Sequence, residues 1–223
     1  MRLTIVTAAW NAEKLPRVIV TSIGCQSFMD WQHIIINDNN PEVRELMENG
    51  TFGVHNLKFS EDEFDRRHWI DFKFRTHYYG AIARNTGAMA AFSYVHSSKR
   101  DIENEWIVFH DDDNIWEPDH LYSMVKVAEE NPEATIVASD ARWVGANDKT
   151  FNEIHPCKLK HGGCDLGQFM YKTKLFKEYG YFDPHPHSKH KYDWRLIEKM
   201  TSGEGDKLVY TGKPTFIMNY KKK

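Results

Sequence analysis

The chain has 223 residues, 41% hydrophobic and 13% aromatic, which is enough apolar material for a folded core and excludes a disordered chain. Lys and Arg number 29 against 32 Asp and Glu, a formal charge of -3 that disfavours a dedicated nucleic-acid or membrane-surface role. Mean hydropathy is -0.63, and no apolar run approaches the roughly 20 residues of a membrane span, so no integral membrane segment is expected.

The opening MRLTIVTAAWNAEKLP reads as a buried strand over Leu3 to Thr7 rather than an export signal, which makes the cytoplasm the expected compartment. A helix is predicted from about Glu13 to Gln26, with Leu15, Val18, Ile19, Ser22 and Ile23 near helical spacing and Pro16 tolerated in the first turn. Gln32 to Asp38 is a second apolar strand. Pro41 opens a helix that Gly50 closes, and His55 to Phe59 is a third strand candidate. Ser60 to His77 reads as an irregular loop. Tyr79 to Ser97 is an Ala-rich helix in which Gly87 asks for a close-packing or ligand reason. Trp106 to His110 is a strand, Glu117 to Asn131 a helix, and Ala134 to Ser139 a further strand. Strands alternating with helices argue for a mostly parallel sheet with right-handed crossovers, an α/β class.

After Asp140 the pattern changes. Arg142 to Ile154 reads as strand and turn, Gly162 to Asp165 as a loop, and Thr173 to Tyr179 as a short helix stopped by Gly180. Trp194 to Met200 is helical, and Lys207 to Thr211 and Thr215 to Tyr220 are late strands. Residues 1–140 thus read as a nucleotide-binding α/β half and 141–223 as a mixed half. No repeat or linker separates them, so they are expected to share one sheet in a single domain. Cys25, Cys157 and Cys164 are odd in number, against a disulfide framework. His155 and His161 lie near two of them, but the spacing is not a paired CxxC pattern, which favours a loop with reduced thiols over a zinc site. The HPHSKH stretch from His185 reads as a solvated loop rather than a metal tract, and the terminal Lys221 to Lys223 as a solvated end or the edge of a longer parent protein.

The sharpest chemical feature is FHDDDNIWEPDHL, Phe109 to Leu121. Three aspartates follow an apolar strand, and ligands of open α/β sheets bind outside the carboxyl ends of strands. Asp111, Asp112 and Asp113 repel one another unless a cation offsets their charge. Oxygen ligands suit Mg²⁺ or Mn²⁺ completed by substrate phosphates. A calcium EF-hand does not fit, because its required Gly and Glu positions hold Trp116 and Tyr122. The alternative is an acidic turn capping the next helix. Asp38 closes its strand at the same edge and could hold a base or ribose, or cap the helix at Pro41. Arg84 and Asn85 lie in GAIARNTGA, where an Arg is either a surface residue or a phosphate or base ligand.

Four ordered blocks resemble the family-2 type of GT-A glycosyltransferases, nearest to spore-coat polysaccharide and viral or bacterial surface-glycan enzymes. They are LTIVTAAWNAEKLPRVIVTSIGCQSF; HIIINDNN; GAIARNTGAMAA with WIVFHDDDNIWEPDHL; and CDLGQFMYKTKLF with YGYFDP and YDWRL. The resemblance implies a GT-A fold with a Rossmann-like central sheet and an acceptor-binding second half. It implies an inverting hexosyltransferase that takes a UDP-sugar and a glycan or other hydroxyl acceptor, with Mn²⁺ or Mg²⁺ as cofactor. By resemblance, Ala8, Ala9, Trp10 and Asn11 wrap the base and ribose, Asp38 holds uracil, and Arg84 contacts the nucleotide. Asp111 and Asp113 frame the DxD pattern and hold the metal, Asp113 most directly, with Asp112 between them on the donor side. Asp193 matches the catalytic base, whose alternative is a helix N-cap, and Asp165 and Trp194 fall on the acceptor side. Two positions depart from the pattern: Ala9 replaces a common Thr, and Tyr192 replaces the Glu of an acidic pair. The rival functions are a sugar nucleotidyltransferase, for which TAAWNAEK lacks the phosphate-loop glycines, and a non-catalytic glycan-binding domain on the same fold.

Overall fold

The computed structural model describes residues 2–49, 55–56, 67–76, 80–97, 105–145, 152–184, 191–203 and 207–220. Strands β1 (Arg2–Ala9) and β2 (Trp31–Asn37) are nearly continuous buried runs, the pattern of strands covered on both faces. They pair in parallel from Leu3 opposite Trp31 to Ala9 opposite Asn37. The polar residues within these runs find partners inside: Gln32 donates to the Thr4 hydroxyl at 2.7 Å, and His33 bonds the Thr7 hydroxyl at 2.9 Å.

β3 (His55–Asn56) and β4 (Arg67–Asp71) extend the sheet beyond β2, both parallel. On the other side of β1 lies β5 (Glu105–Phe109), also parallel. The second half of the chain then enters the same sheet. β10 (Phe169–Lys172) runs antiparallel between β5 and β7 (Ile136–Ala138), and β11 (Leu208–Tyr210) closes the edge parallel to β7. The order is β11-β7-β10-β5-β1-β2-β4-β3. A second sheet comprises β6 (Ile115–Trp116), β12 (Phe216–Tyr220), β8 (Ala141–Gly145) and β9 (Asn152–His155), in that order.

Alternation along the strands feeds two cores. Ile107 and Phe109 of β5 face the cluster beneath α3 (Ala81–Ser97), whereas Trp106 and Val108 face the cluster beneath α4 (His120–Glu130). Gly87 has the close-packing reason: a Cβ there would meet Val6 Cγ1 at 2.3 Å, so the glycine lets α3 lie directly on β1. Helix α2 (Pro41–Glu48) buries Val43 and Met47, and Asn40 caps it by accepting from the Glu42 amide at 2.9 Å. Helices α5 (Lys174–Tyr179) and α6 (Tyr192–Gly203) pack on the α3 side of the sheet through Leu175, Phe176, Leu196 and Ile197.

Three expectations change. The first helix is one α-turn over Leu15–Arg17 followed by a π-helix over Val18–Ile23. The Gly24 amide bonds the Ile19 carbonyl five residues back, and a Cβ at 24 would meet the Val20 carbonyl oxygen at 2.5 Å. The loop expected over Ser60 to His77 contains β4, with His68 and Trp69 buried; residues 60–66 and 77 lie outside the described residues. The helix expected from Glu117 starts at His120, because Ile115 and Trp116 are drawn into pairing with β12. Residues 57–59, His185–His190 and the terminal lysines also lie outside the described residues.

Candidate functional site

The carboxyl ends of β1, β2 and β5 open on one cleft of about 500 Å³. Its walls include Ala8 and Ala9 at the end of β1 and Trp10 just after it, Asp38 after β2, Asp111, Asp112 and Asp113 after β5, and Arg84 from the first turn of α3. These sequence-predicted residues therefore converge, as a strand-end site in a parallel sheet requires. Asn11 does not line the cleft but holds its rim: its amide and that of Trp10 donate to Asp112 Oδ2 at 2.6 and 2.5 Å. Burial raises the Asp112 pKa, and the two amides only partly offset this. Asp112 thus ties the β1 turn to the β5 turn.

Asp38 is not the cap of α2, a role Asn40 fills. Its two oxygens accept from the Thr76 amide at 2.8 Å and the Thr76 hydroxyl at 3.0 Å. Asn40 Nδ2 reaches across to the Trp10 carbonyl at 2.6 Å, joining the first two turns.

Arg84 is 6% exposed, so its guanidinium is not a surface charge. Nη2 pairs with Asp111, and Nη1 donates to the Tyr192 hydroxyl at 3.0 Å. The same Nη1 stands 4.0 Å from Asp193 Oδ1, too far for a hydrogen bond but close enough for attraction. Asp193 lies inside the first turn of α6 rather than at its N-cap. That oxygen is buried without a hydrogen-bond partner among the described residues, although a third of the side chain is open to solvent. Burial pushes its pKa up to about 7; Arg84 opposes the rise and the negative charge of Asp111 adds to it. Asp165 rises likewise to about 7, through burial and then the nearby Asp111. Its Oδ1 caps the 3₁₀ turn Leu166–Gln168 by accepting from the Gly167 amide at 3.0 Å. Three carboxylates therefore share the field of one buried arginine. Trp194 is half-buried against the α3-side core rather than on the cleft wall.

Two cleft residues escaped the sequence reading. Arg75, just past β4, stacks its guanidinium 3.6 Å from the centre of the exposed Trp10 ring. Its signal is hidden because β4, RHWID, carries charge at both ends and lacks the apolar run of a buried strand. Gly80 has φ 79°, and a Cβ there would stand 3.0 Å from Arg84 Nη1 and 3.2 Å from Ala8 Cβ. The GAIAR spelling could have marked it as the turn that admits Arg84.

The same contacts test whether a divalent ion fits. Among the described residues no group of three or more ligand-type side chains forms an all-protein cage. Asp111 is engaged by Arg84 and Asp112 by two amides. Asp113 is half-exposed, is held among the described residues by Lys14 at 3.7 Å, and lines the cleft. Such a site fits an ion bound through one or two carboxylates with diphosphate oxygens completing its shell.

Sequence comparison with curated proteins gives no match. Among solved structures, S. aureus TarS 1-349 superposes with a TM-score of 0.69 at 15% identity, covering 98% of this chain and 60% of that one. The same protein in complex with UDP-GlcNAc gives 0.68 at 14% identity, over 100% and 60% of the two chains. The mannosyltransferase PcManGT from Pyrobaculum calidifontis, in complex with GDP-Man and Mn²⁺, gives 0.65 at 15% identity, over 97% and 56%. The chain thus spans about three-fifths of these solved chains, and 37% of the longer TarS chain, and shares their GT-A fold. The profile described as glycosyl transferase family 2 matches residues 4–188, most of the sequence, and the chain belongs to that family.

Proposed function

We propose that the chain transfers a sugar from a UDP-sugar to a hydroxyl of a glycan or related acceptor, with inversion at the anomeric carbon. In this reading residues 1–223 act as one catalytic domain, 1–140 holding the donor and 141–223 the acceptor. The observation that carries it is Asp193: a carboxylate with a free buried oxygen and a pKa near neutrality, set beside the Arg84–Asp111 pair of the cleft. Solved structures of the same fold hold UDP, UDP-GlcNAc or GDP-Man, which supports a nucleotide-sugar donor.

Ala8, Ala9, Trp10 and Asn11 form the turn that faces base and ribose, and Asp38 accepts from the base edge. Asp112 fixes that turn through its two amide contacts. Arg84 holds Asp111 in place on the cleft wall. Asp113, with Asp111, would hold Mn²⁺ or Mg²⁺, which supplies Lewis-acid neutralisation of the diphosphate. Asp193, ionised in about half of molecules near pH 7, takes the proton from the acceptor hydroxyl. That oxygen bonds the anomeric carbon from the face opposite the nucleotide, the bond to the UDP oxygen breaks, and its electron pair leaves on the diphosphate. Asp165 and Trp194 shape the acceptor side.

The test is incubation of the full chain with a panel of UDP-sugars, Mn²⁺ and glycan acceptors, reading UDP release and the anomeric configuration of the product by NMR. An α-linked donor is expected to give a β-linked product. Retained configuration overturns the mechanism. Pyrophosphate release from a nucleoside triphosphate and a sugar phosphate identifies a nucleotidyltransferase instead, and binding without turnover identifies a glycan-binding domain.

A further inference from the structure

We propose that Cys157 and Cys164 form a built dithiol site that closes to an intramolecular disulfide when it meets a small disulfide oxidant of the glutathione type. The backbone brings them together. The Lys158 amide donates to the Gly163 carbonyl at 3.2 Å, so the chain doubles back and the flanking Cys157 and Cys164 face one another. The turn between them is tight: the Gly163 amide bonds the Lys160 carbonyl at 2.8 Å, and Gly162 has φ 74°. A Cβ at 163 would meet the carbonyl oxygens of Lys158 at 2.7 Å and Lys160 at 3.1 Å, so glycine is what permits the two limbs to approach.

Both limbs are anchored. The Cys157 amide donates to Asp140 Oδ1 at 2.8 Å. On the other limb, the Asp165 amide donates to Gln168 Oε1 at 2.7 Å within the 3₁₀ cap. The thiols hydrogen-bond each other, which raises the pKa of the buried Cys157 and lowers that of the half-buried Cys164. Cys164 is thus the accessible nucleophile and Cys157 the resolving thiol behind it. Neither sulfur has a part in the proposed transfer reaction.

The step balances with the oxidant named. The Cys164 thiolate attacks one sulfur of oxidised glutathione and expels the first glutathione thiolate. Cys157 loses its proton and attacks Cys164 Sγ, expelling the second. The two cysteines give up two electrons and two protons, and the oxidant carries them away as two thiols. The new bond clamps the loop that leads directly into Asp165.

The experiment uses the full chain carrying Cys25→Ser, which removes the exposed third thiol, titrated with oxidised against reduced glutathione. Intact mass and non-reducing peptide mapping are expected to show loss of two hydrogens, no glutathione adduct, and a link between residues 157 and 164 that dithiothreitol reverses. Cys157→Ser in the same background is expected to trap a glutathione adduct on Cys164. A stable adduct on Cys164 with Cys157 present overturns the proposal, as does failure of both thiols to react while the fold is intact by circular dichroism.

Discussion

Arg84 Nη1 donates to the Tyr192 hydroxyl at 3.0 Å, so the tyrosine that stands where the family pattern has a glutamate still receives the guanidinium. With a neutral phenol in that place, the carboxylates of Asp111, Asp193 and Asp165 are those that act on the buried cation among the described residues. Burial holds the Tyr192 pKa up, at about 12, which keeps the phenol neutral across physiological pH. Tyr192→Phe keeps the ring over Arg84 and removes one acceptor from the buried charge. It is expected to cost about 1–3 kcal/mol, read as a lower urea midpoint with unchanged slope. An unchanged midpoint would show that the phenol oxygen contributes nothing.

Asp193→Asn tests the base. Loss of a general base lowers turnover by about 10²–10⁴-fold, while UDP affinity by calorimetry is expected to stay within about twofold because Asp193 does not line the donor cleft. Turnover at the wild-type rate would remove Asp193 from the mechanism.

The pH dependence has a definite sign. The Asp193 pKa rises from 3.8 when unfolded to about 7 when folded. Between these values the folded chain binds a proton that the unfolded chain lacks, so this group's contribution to stability falls as pH rises through that window and is flat above it. The proposed transfer is expected to move the other way, increasing through about pH 7 as Asp193 ionises. Asp193→Asn is therefore expected to flatten the rate profile and to raise the melting temperature at pH 8 relative to wild type. A lower melting temperature for the variant at pH 8 would contradict the burial-driven shift.

Asp113→Ala leaves the packing untouched, because its side chain is half-exposed with one 3.7 Å ion pair to Lys14. Wild-type UDP binding is expected to strengthen at least about tenfold with Mn²⁺, and the variant to lose most of that gain. Equal UDP affinity with and without Mn²⁺ in the wild type would remove the metal from the site.

Gly87→Val places two methyls where a single Cβ already falls 2.3 Å from Val6 Cγ1. Helix α3 must lift from β1, at about 1–3 kcal/mol or more. Because α3 carries Arg84, UDP affinity is expected to fall with stability, measured by thermal shift with and without UDP. Full stability in this variant would mean that the helix is free to shift.

The parts of the molecule legible in sequence are those that local chemistry decides. β1, β2 and β5 announce themselves as apolar runs, and the three aspartates fall where such a run ends. β4 does not, because RHWID carries charge at Arg67 and Asp71 and buries only His68 and Trp69. The π-helix was hidden because its register depends on how closely Gly24 approaches the Val20 carbonyl. Arg75 over Trp10, and Tyr192 on Arg84, join residues 65 and 108 positions apart, and no window along the chain contains both partners. The carboxylates could be named in advance, but not that Asp112 is spent on holding two backbone amides.

The antiparallel β10 between β5 and β7 also bears on how the chain is made. Among the described residues β7 pairs with β10 and β11, and both emerge from the ribosome after it. A nascent chain that has reached residue 140 has completed β7 but has no strand to pair it with, and one edge of β5 stands open. Residues 169–172 must therefore arrive before that edge of β5 is covered. A fragment cut after residue 140 is expected to aggregate through that open edge rather than fold.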